Sequence, residues 1–384
     1  MISSASLAWL QLTREKARLL VALAGVAFAV VLVFMQLGFH DALFTSAVAV
    51  HERLDADIFL INPQSHYLAT MKTFPRRRLY QALGFDGVES VTPIYARLAP
   101  WKHPDTGRSR EIFVVGIDPA GDAFDVPAVA ARRERIRLPD AVLFDEASRP
   151  EFGPVAARVR AGDPVSTEVS GHRVTVDGLF RLGISFGIDG MLITSDLNFL
   201  RLFPAWPPGL INIGLVKLRP GTDAEAVRDA LAASLPRDVT VLTRQEYVQR
   251  EKHYWATSTP IGYVFTFGVL MGWFVGAIIV YQILFADVAT HLREYATLKA
   301  IGYRNGYLLS VVLIEALFLA VVGYVPGLAF CAELYRLAAS ATRLPMEIAP
   351  GRSLQVLAST IAMCGVSGAL AVRKIRSADP AEVF

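Results

Sequence analysis

Residues 290–306 read THLREYATLKAIGYRNG, a short charged stretch with an apolar run on either side. On a helix, Tyr295, Leu298 and Ile301 fall at i, i+3 and i+6 and make one apolar stripe. Arg293, Glu294, Lys299 and Arg304 form the charged remainder, and Gly302 is placed to end the helix. A polar elbow tied to apolar sequence at both ends has two readings. It floats at the lipid headgroups, or it is a lever gripped by another protein.

The flanks decide the fold class. The chain has 384 residues, 53% hydrophobic and 19% charged, against about 25% charged in a soluble domain. A helix needs about 20 apolar residues to cross a bilayer. Four runs meet that length: 19–39, 261–286, 307–332 and 353–372. Arg14, Lys16 and Arg18 precede the first run like the start of a secretory signal. Its apolar core is too long for one, and no small-residue cleavage site follows, so it reads as a retained span. The expected fold is a membrane protein with four transmembrane α-helices and a large α+β extracytoplasmic domain between the first and second.

Four spans place segments 1–18, 287–306 and 373–384 on one side. Nine basic residues lie there (Arg14, Lys16, Arg18, Arg293, Lys299, Arg304, Arg373, Lys374, Arg376), against Arg336, Arg343 and Arg352 in the loop 333–352. Positive charge collects on the cytoplasmic side, so both termini are expected in the cytoplasm. Segment 1–18 reads as a cytoplasmic or interfacial helix, and 373–384 as a cytoplasmic tail. The net charge of +3, without a long basic run, gives no sign of nucleic-acid binding.

Segment 40–260 alternates short apolar runs with turn signals. "ADIFLINP" reads as a strand. "VTPIYARLAPWKHPDTGRSREIFVVGID" reads as a hairpin turning near Asp105–Gly107, and "VSTEVSGHRVTVDGLF" as a second with Ser170 and Gly171 at its tip. "LINIGLVKLRPGTDAEAVRDALAASLP" reads as strand, turn and helix, with Thr222 or Asp223 at the N-cap. After the strand "VTVLT", a helix starts near Arg244 and runs towards the second span. Two lobes are expected: 40–135 with 206–258, and an inserted β-rich lobe, 136–205.

Chemical motifs are weak. Gly183-Ile-Ser185-Phe-Gly187 has the spacing of a nucleophile elbow, but that device needs a strand turning into a helix, and "IDGMLIT" reads as turn and strand. His51-Glu52 begins like a zinc-binding H-E-x-x-H, but Asp55 stands at the second histidine position. Cys331 and Cys364 lie inside apolar runs and give neither a metal set nor a disulfide framework. No phosphate-binding G-x-x-x-x-G-K-[ST] loop occurs. No catalytic, cofactor or metal site is expected, and any ATP used must bind another chain. Glu315, inside the third span, is costly there and reads as a carboxyl gripping a neighbouring helix rather than as a proton or substrate site.

The stretch "LREYATLKAIGYRNGYLLSVVLIEALFLAVVG" resembles the signature of the MacB/FtsX-type ABC transporter permeases: an Arg-Glu, a Thr-Leu-Lys-Ala-[IL]-Gly core, and a Glu in the following helix. The ending "AVRKIRSADPAEVF" is similar to the basic tail with Asp-Pro that closes those permeases, and the layout of one span, a large domain and three spans is also theirs. Within the superfamily the chain looks closest to the DevC-like permeases, through "DIFLINPQS", "VDGLFRLG" and "MLITSDLNFLRLF". Tyr295 departs from the isoleucine common at that position.

The resemblance implies that Arg293, Glu294, Tyr295, Thr297, Leu298, Lys299, Ile301 and Gly302 form a coupling helix docked on a separate ATPase subunit, which carries the ATP and magnesium. Arg373, Lys374, Arg376, Asp379 and Pro380 would add a tail contact. It further implies a second copy of the chain, a periplasmic adaptor, an indirect TolC-like outer-membrane channel, and residence in the bacterial inner membrane. The activity implied is mechanotransmission for export of glycolipid or other envelope material. Two other readings stand beside it: an FtsX-like regulator that activates a periplasmic partner without transport, and a hydrolase using Ser185.

Overall fold

The structure is a computed structural model in which residues 16–377 are described, except for the side chains at 287, 292, 295, 296, 305, 308 and 373–377. It divides into two compact units, a helical one and a domain of residues 43–262 joined by Arg343–Pro345.

Four helices are long and apolar enough to cross a membrane: α1 (Lys16–Arg53), α9 (Pro260–Thr290), α11 (Asn305–Thr342) and α12 (Pro350–Ser377). Each runs past the apolar stretch that marks it in the sequence. The first run is apolar to Phe39, yet α1 spans 38 residues, about 57 Å at 1.5 Å per residue. The extension follows from spacing: Leu43, Ala47 and Val50 recur at i, i+4 and i+7 and are all buried. Arg336, which the sequence places in a loop, lies on α11 and pairs with Glu333, and Arg352 lies in the first turn of α12. Likewise α12 carries the chain through 373–377, where the sequence expects the tail to begin.

Close approach holds the helical unit together. Gly268, Gly272 and Gly276 of α9 face Gln36, Leu32 and Ala29 of α1. Gly323 and Gly327 of α11 face Val26 and Val30 on α1, where an added Cβ would fall 2.8 and 2.9 Å from the valine side chains. Small residues let backbones approach within a bilayer, where lipid is as apolar as leucine and burial alone gives no drive. Tyr335 donates its hydroxyl to the Phe34 carbonyl, Ser367 donates to Ala277 at 3.1 Å, and Arg352 pairs with Asp41.

The domain is built on a nine-stranded sheet. Its strands are β1 (Ile58–Ile61), β3 (Val88–Lys102), β4 (Ser109–Ile117), β5 (Ala141–Asp145), β6 (Val165–Val169), β7 (His172–Phe180), β8 (Met191–Ser195), β10 (Ile213–Leu218) and β11 (Thr240–Thr243). The order is β11-β1-β10-β3-β4-β8-β5-β7-β6. A small second sheet pairs β2 (Phe74–Pro75) with β9 (Leu210–Ile211). Trp101 of β3 also pairs with Val169 of β6, so β3, β4, β8, β5, β7 and β6 close on themselves. The inserted lobe therefore takes two of its six strands from residues 88–117, and the long β3–β4 hairpin runs through both halves.

Both faces of the sheet are covered. Successive residues of a strand point to opposite sides, so Ile58 and Leu60 enter one core and Phe59 and Ile61 the other. One face carries α2 (Arg77–Leu83), α5 (Val155–Ala161), α6 (Asp196–Leu202) and α7 (Ala224–Ser234). The other carries the end of α1, the short α3 (Pro127–Ala130) and α4 (Arg133–Ile136), and α8 (Arg244–Thr257).

The local signals behave as their chemistry requires. Ser170 and Gly171 both hold positive φ, 49° and 79°, which a two-residue turn needs to match strand twist. Asp223 caps α7 by accepting the Glu225 N–H at 2.9 Å. Thr243 and Glu246 form a reciprocal capping box on α8.

Candidate coupling site

The elbow is a helix, α10 (Leu292–Ala300), separated from α9 by His291 alone and from α11 by four residues. Nine residues are too few for a helix to persist alone in water, so its ends must be fixed. Gly302, at φ 103°, fixes the far end: its N–H donates to Lys299 O at 3.1 Å, and the Tyr303 N–H reaches Leu298 O at 3.1 Å. This paired closure is a Schellman motif, which satisfies carbonyls a helix end leaves open.

Arg293, Glu294 and Thr297 are exposed, with the Thr297 hydroxyl donating to Arg293 O at 2.9 Å. Leu298 and Lys299 are half-buried. Ile301, expected on an apolar stripe, is 70% exposed. The Tyr295 side chain lies outside what is described, as do those of Arg373, Lys374 and Arg376, and Asp379 and Pro380 lie beyond the described residues. Glu315 is fully buried in the third turn of α11.

A second cluster lies in the domain, where α1 ends beside α8. His51 Nε2 stands 3.3 Å from Glu251 Oε2, and both residues are buried. Glu251 also accepts the Trp255 indole N–H at 2.9 Å and the Leu68 N–H at 3.1 Å. The Tyr247 ring packs on His51 with centroids 4.4 Å apart, and burial, then the Glu251 charge, pushes its phenol well above the ordinary range. In the sequence, His51 stands out only as the start of a zinc-binding pattern that Asp55 breaks. Its partner is 200 positions away, and no spacing rule joins them.

Loop 181–190 meets this cluster. Ser185 lines a water-sized cavity of about 10 Å³ with Ser46, Glu251 and Trp255. Its hydroxyl accepts the Gly187 N–H at 3.2 Å, between two strands and not at a strand-to-helix turn. Three histidines have their own contacts: His103 accepts two N–H groups in the β3–β4 turn, His172 contacts the Ser170 carbonyl, and His51 faces Glu251. No group of three metal-ligating side chains occurs among the described residues. The loop is pinned by buried Asp145, which accepts Leu182 and Gly183 N–H groups; burial pushes its carboxyl up, and these bonds oppose the shift. Asp189 bridges Arg110 and Arg149 at 2.5 Å each. Burial would raise its carboxyl, but the two guanidiniums reverse this and hold it below the usual range.

Two family models match the chain. The MacB-like periplasmic core domain covers residues 19–234, and the FtsX-like permease C-terminal model covers 266–380. Among solved structures, the periplasmic region of MacB from Actinobacillus actinomycetemcomitans shares 11% identity, with 54% of this chain and 97% of that one covered and a TM-score of 0.36. The extracellular domain of the ABC-type transporter YknZ from Gram-positive bacteria shares 13%, covering 49% and 99%, with a TM-score of 0.32. No curated protein sequence matches the chain.

Proposed function

The chain belongs to the MacB/FtsX-type ABC transporter permeases, and from that premise we propose that it is the force-transmitting subunit of a tripartite exporter. Permeases of this family work with ABC ATPase partners, and the chain is a multi-pass membrane protein of that kind. The observation that carries the reading is α10: a short helix with exposed Arg293 and Glu294, closed at Gly302, joined almost directly to two long apolar helices.

In this reading α10 is the coupling helix, and ATP with magnesium binds a separate chain. Closure of two ATPase subunits pushes α10 in each of two permease copies. The movement passes along α9 into α8, and the Glu251 junction carries it to loop 181–190 and the sheet. The domain then works a periplasmic adaptor, with a TolC-like duct beyond it, on lipid, glycolipid or other envelope material, as in DevC-like systems. Both termini lie in the cytoplasm.

Affinity purification of the full chain in mild detergent tests this, with identification of the chains that accompany it. The expected companions are an ABC ATPase and an adaptor. An ATPase accompanied by a cell-wall hydrolase and no adaptor would establish the FtsX-like regulator instead.

A further inference from the structure

The twelve residues 62–73, between β1 and β2, form a closed loop. The Asn62 side chain donates to Thr73 O at 2.6 Å, and the Lys72 N–H donates to Ser65 Oγ at 3.0 Å, so the ends meet as in an Ω-loop. The loop is fastened to the last turns of α8. Arg250 donates to the carbonyls of Pro63 and Ser65 at 3.0 and 2.8 Å, and the Leu68 N–H binds Glu251. The Tyr67 ring stacks on Tyr254 with centroids 4.7 Å apart and planes 10° apart, and meets Trp255 edge-on at 5.8 Å. His66 lies over Tyr254 at 6.4 Å.

Those turns of α8 abut the start of the second span. The Thr259 hydroxyl donates to Trp255 O at 2.9 Å, and the Gly262 N–H donates to Thr259 Oγ1 at 3.3 Å. No side chain fits at Gly262, because its Cβ would collide with the backbone of Trp255 and Ala256. From Ile261 to Ala286 the chain carries no charge. The loop thus stands beside the turn that precedes uninterrupted apolar sequence.

The charged side chains that reach the surface of this rim are basic. Lys72 is exposed and Lys252 half-buried, and the exposed His66 and His253 stand among them. Residues 62–73 contain no acid, and the only one in 250–259 is the buried Glu251. Tyr67 and Tyr254 are half-buried at this rim, with Trp255 buried behind them. Tyrosine concentrates where hydrocarbon meets headgroups, and basic side chains near a bilayer surface are drawn to anionic lipid. We propose that loop 62–73, with the end of α8, is a membrane-surface anchor that seats the domain on the headgroup layer of an anionic phospholipid leaflet. The inference does not depend on the exporter reading and holds for either kind of partner.

The test uses the full chain with Cys331→Ala and Cys364→Ala, and one new cysteine, His66→Cys or Thr106→Cys, carrying a bimane label. Each protein is reconstituted in phosphatidylglycerol vesicles with and without lipid bearing a spin-labelled headgroup. The expected result is loss of most emission at position 66 and none at 106, which tips the β3–β4 hairpin. Lys72→Cys serves as the second position should His66→Cys fail to fold. A label at 66 or 72 as bright with the quencher as without it overturns the proposal. A loop that instead docks on a protein gives that same overturning result, because no partner is present.

Discussion

His51 Nε2 lies 3.3 Å from Glu251 Oε2, with both side chains buried and 200 positions apart in sequence. The pair joins α1, which includes the first span, to α8, which leads into the second. Glu251 also takes N–H groups from Trp255 on its own helix and from Leu68, so one carboxyl ties together three pieces of chain: α1, α8 and the loop that holds Leu68. Any relative motion of the two helices within the domain must break this junction or carry it along whole.

Glu251→Ala should destabilise the chain strongly. It orphans the Leu68 and Trp255 donors, and each buried unsatisfied donor costs ~1–3 kcal/mol. Glu251→Gln keeps one acceptor and should fall between wild type and the alanine variant. Thermal unfolding of the detergent-solubilised chain, followed by tryptophan fluorescence, ranks the three. Equal melting of both variants with wild type would remove Glu251 from this role.

Asp189 should make the domain acid-sensitive. Burial opposes ionisation, but Arg110 and Arg149 more than compensate and lower its pKa. Between that lowered value and the ordinary carboxylate range the unfolded chain binds a proton that the folded chain does not. This contribution is therefore complete above the ordinary range and lost as pH falls through the folded value. Asp189→Asn should show a shallower loss of melting temperature on acidification than wild type. Parallel acid limbs would refute the assignment.

Gly323→Leu should separate α11 from α1, because its Cβ position lies 2.8 Å from Val26. Gly365→Leu, in the fourth apolar run with nothing within 4 Å, is the matched control. Overpacking costs about 1–3 kcal/mol. The gentler Gly323→Ala should be relieved by Val26→Ala in the same chain. Melting in detergent gives the coupling, and a double variant no better than the single one would show that the contact is not what limits packing there.

What the sequence made legible was local. Apolar length gave the four spans, and turn and cap residues such as Ser170, Gly171 and Asp223 announced their elements within a few positions. Apolar length marks 19–39 but says nothing of how far α1 continues; that is carried by Leu43, Ala47 and Val50, which keep the helical period past His40 and Asp41. Pairings between distant segments left no such mark. Neither Trp101 against Val169, which closes the strands, nor Asp41 against Arg352, which ties α1 to α12, follows from spacing.

Orientation is testable through cysteines placed at Asp105 and Asp379, probed with an impermeant thiol reagent in intact spheroplasts. Asp105 is exposed in the β3–β4 turn, and Asp379 follows the basic stretch Arg373 to Arg376. The charge distribution predicts labelling at 105 alone. Labelling at 379 alone would reverse the topology.

The elbow gives the sharpest test of force transfer. Arg293 and Glu294 are exposed on α10, so in the coupling reading they meet an ATPase surface, and a reversed charge there can cost several kcal/mol. On an interfacial helix the same change is nearly silent, because water and salt screen it. Gly302 supplies a second handle: at φ 103° a leucine is strained, and the closing bonds to Lys299 and Leu298 suffer. Gly306→Leu, with open space around it and no positive φ, controls for bulk. In the reconstituted complex, Glu294→Lys and Gly302→Leu should each lower export and stimulated ATP hydrolysis at unchanged expression, while Gly306→Leu leaves both near wild type. Wild-type export and hydrolysis in both elbow variants would reduce α10 to a helix resting at the headgroups, and the force would have to enter the spans elsewhere.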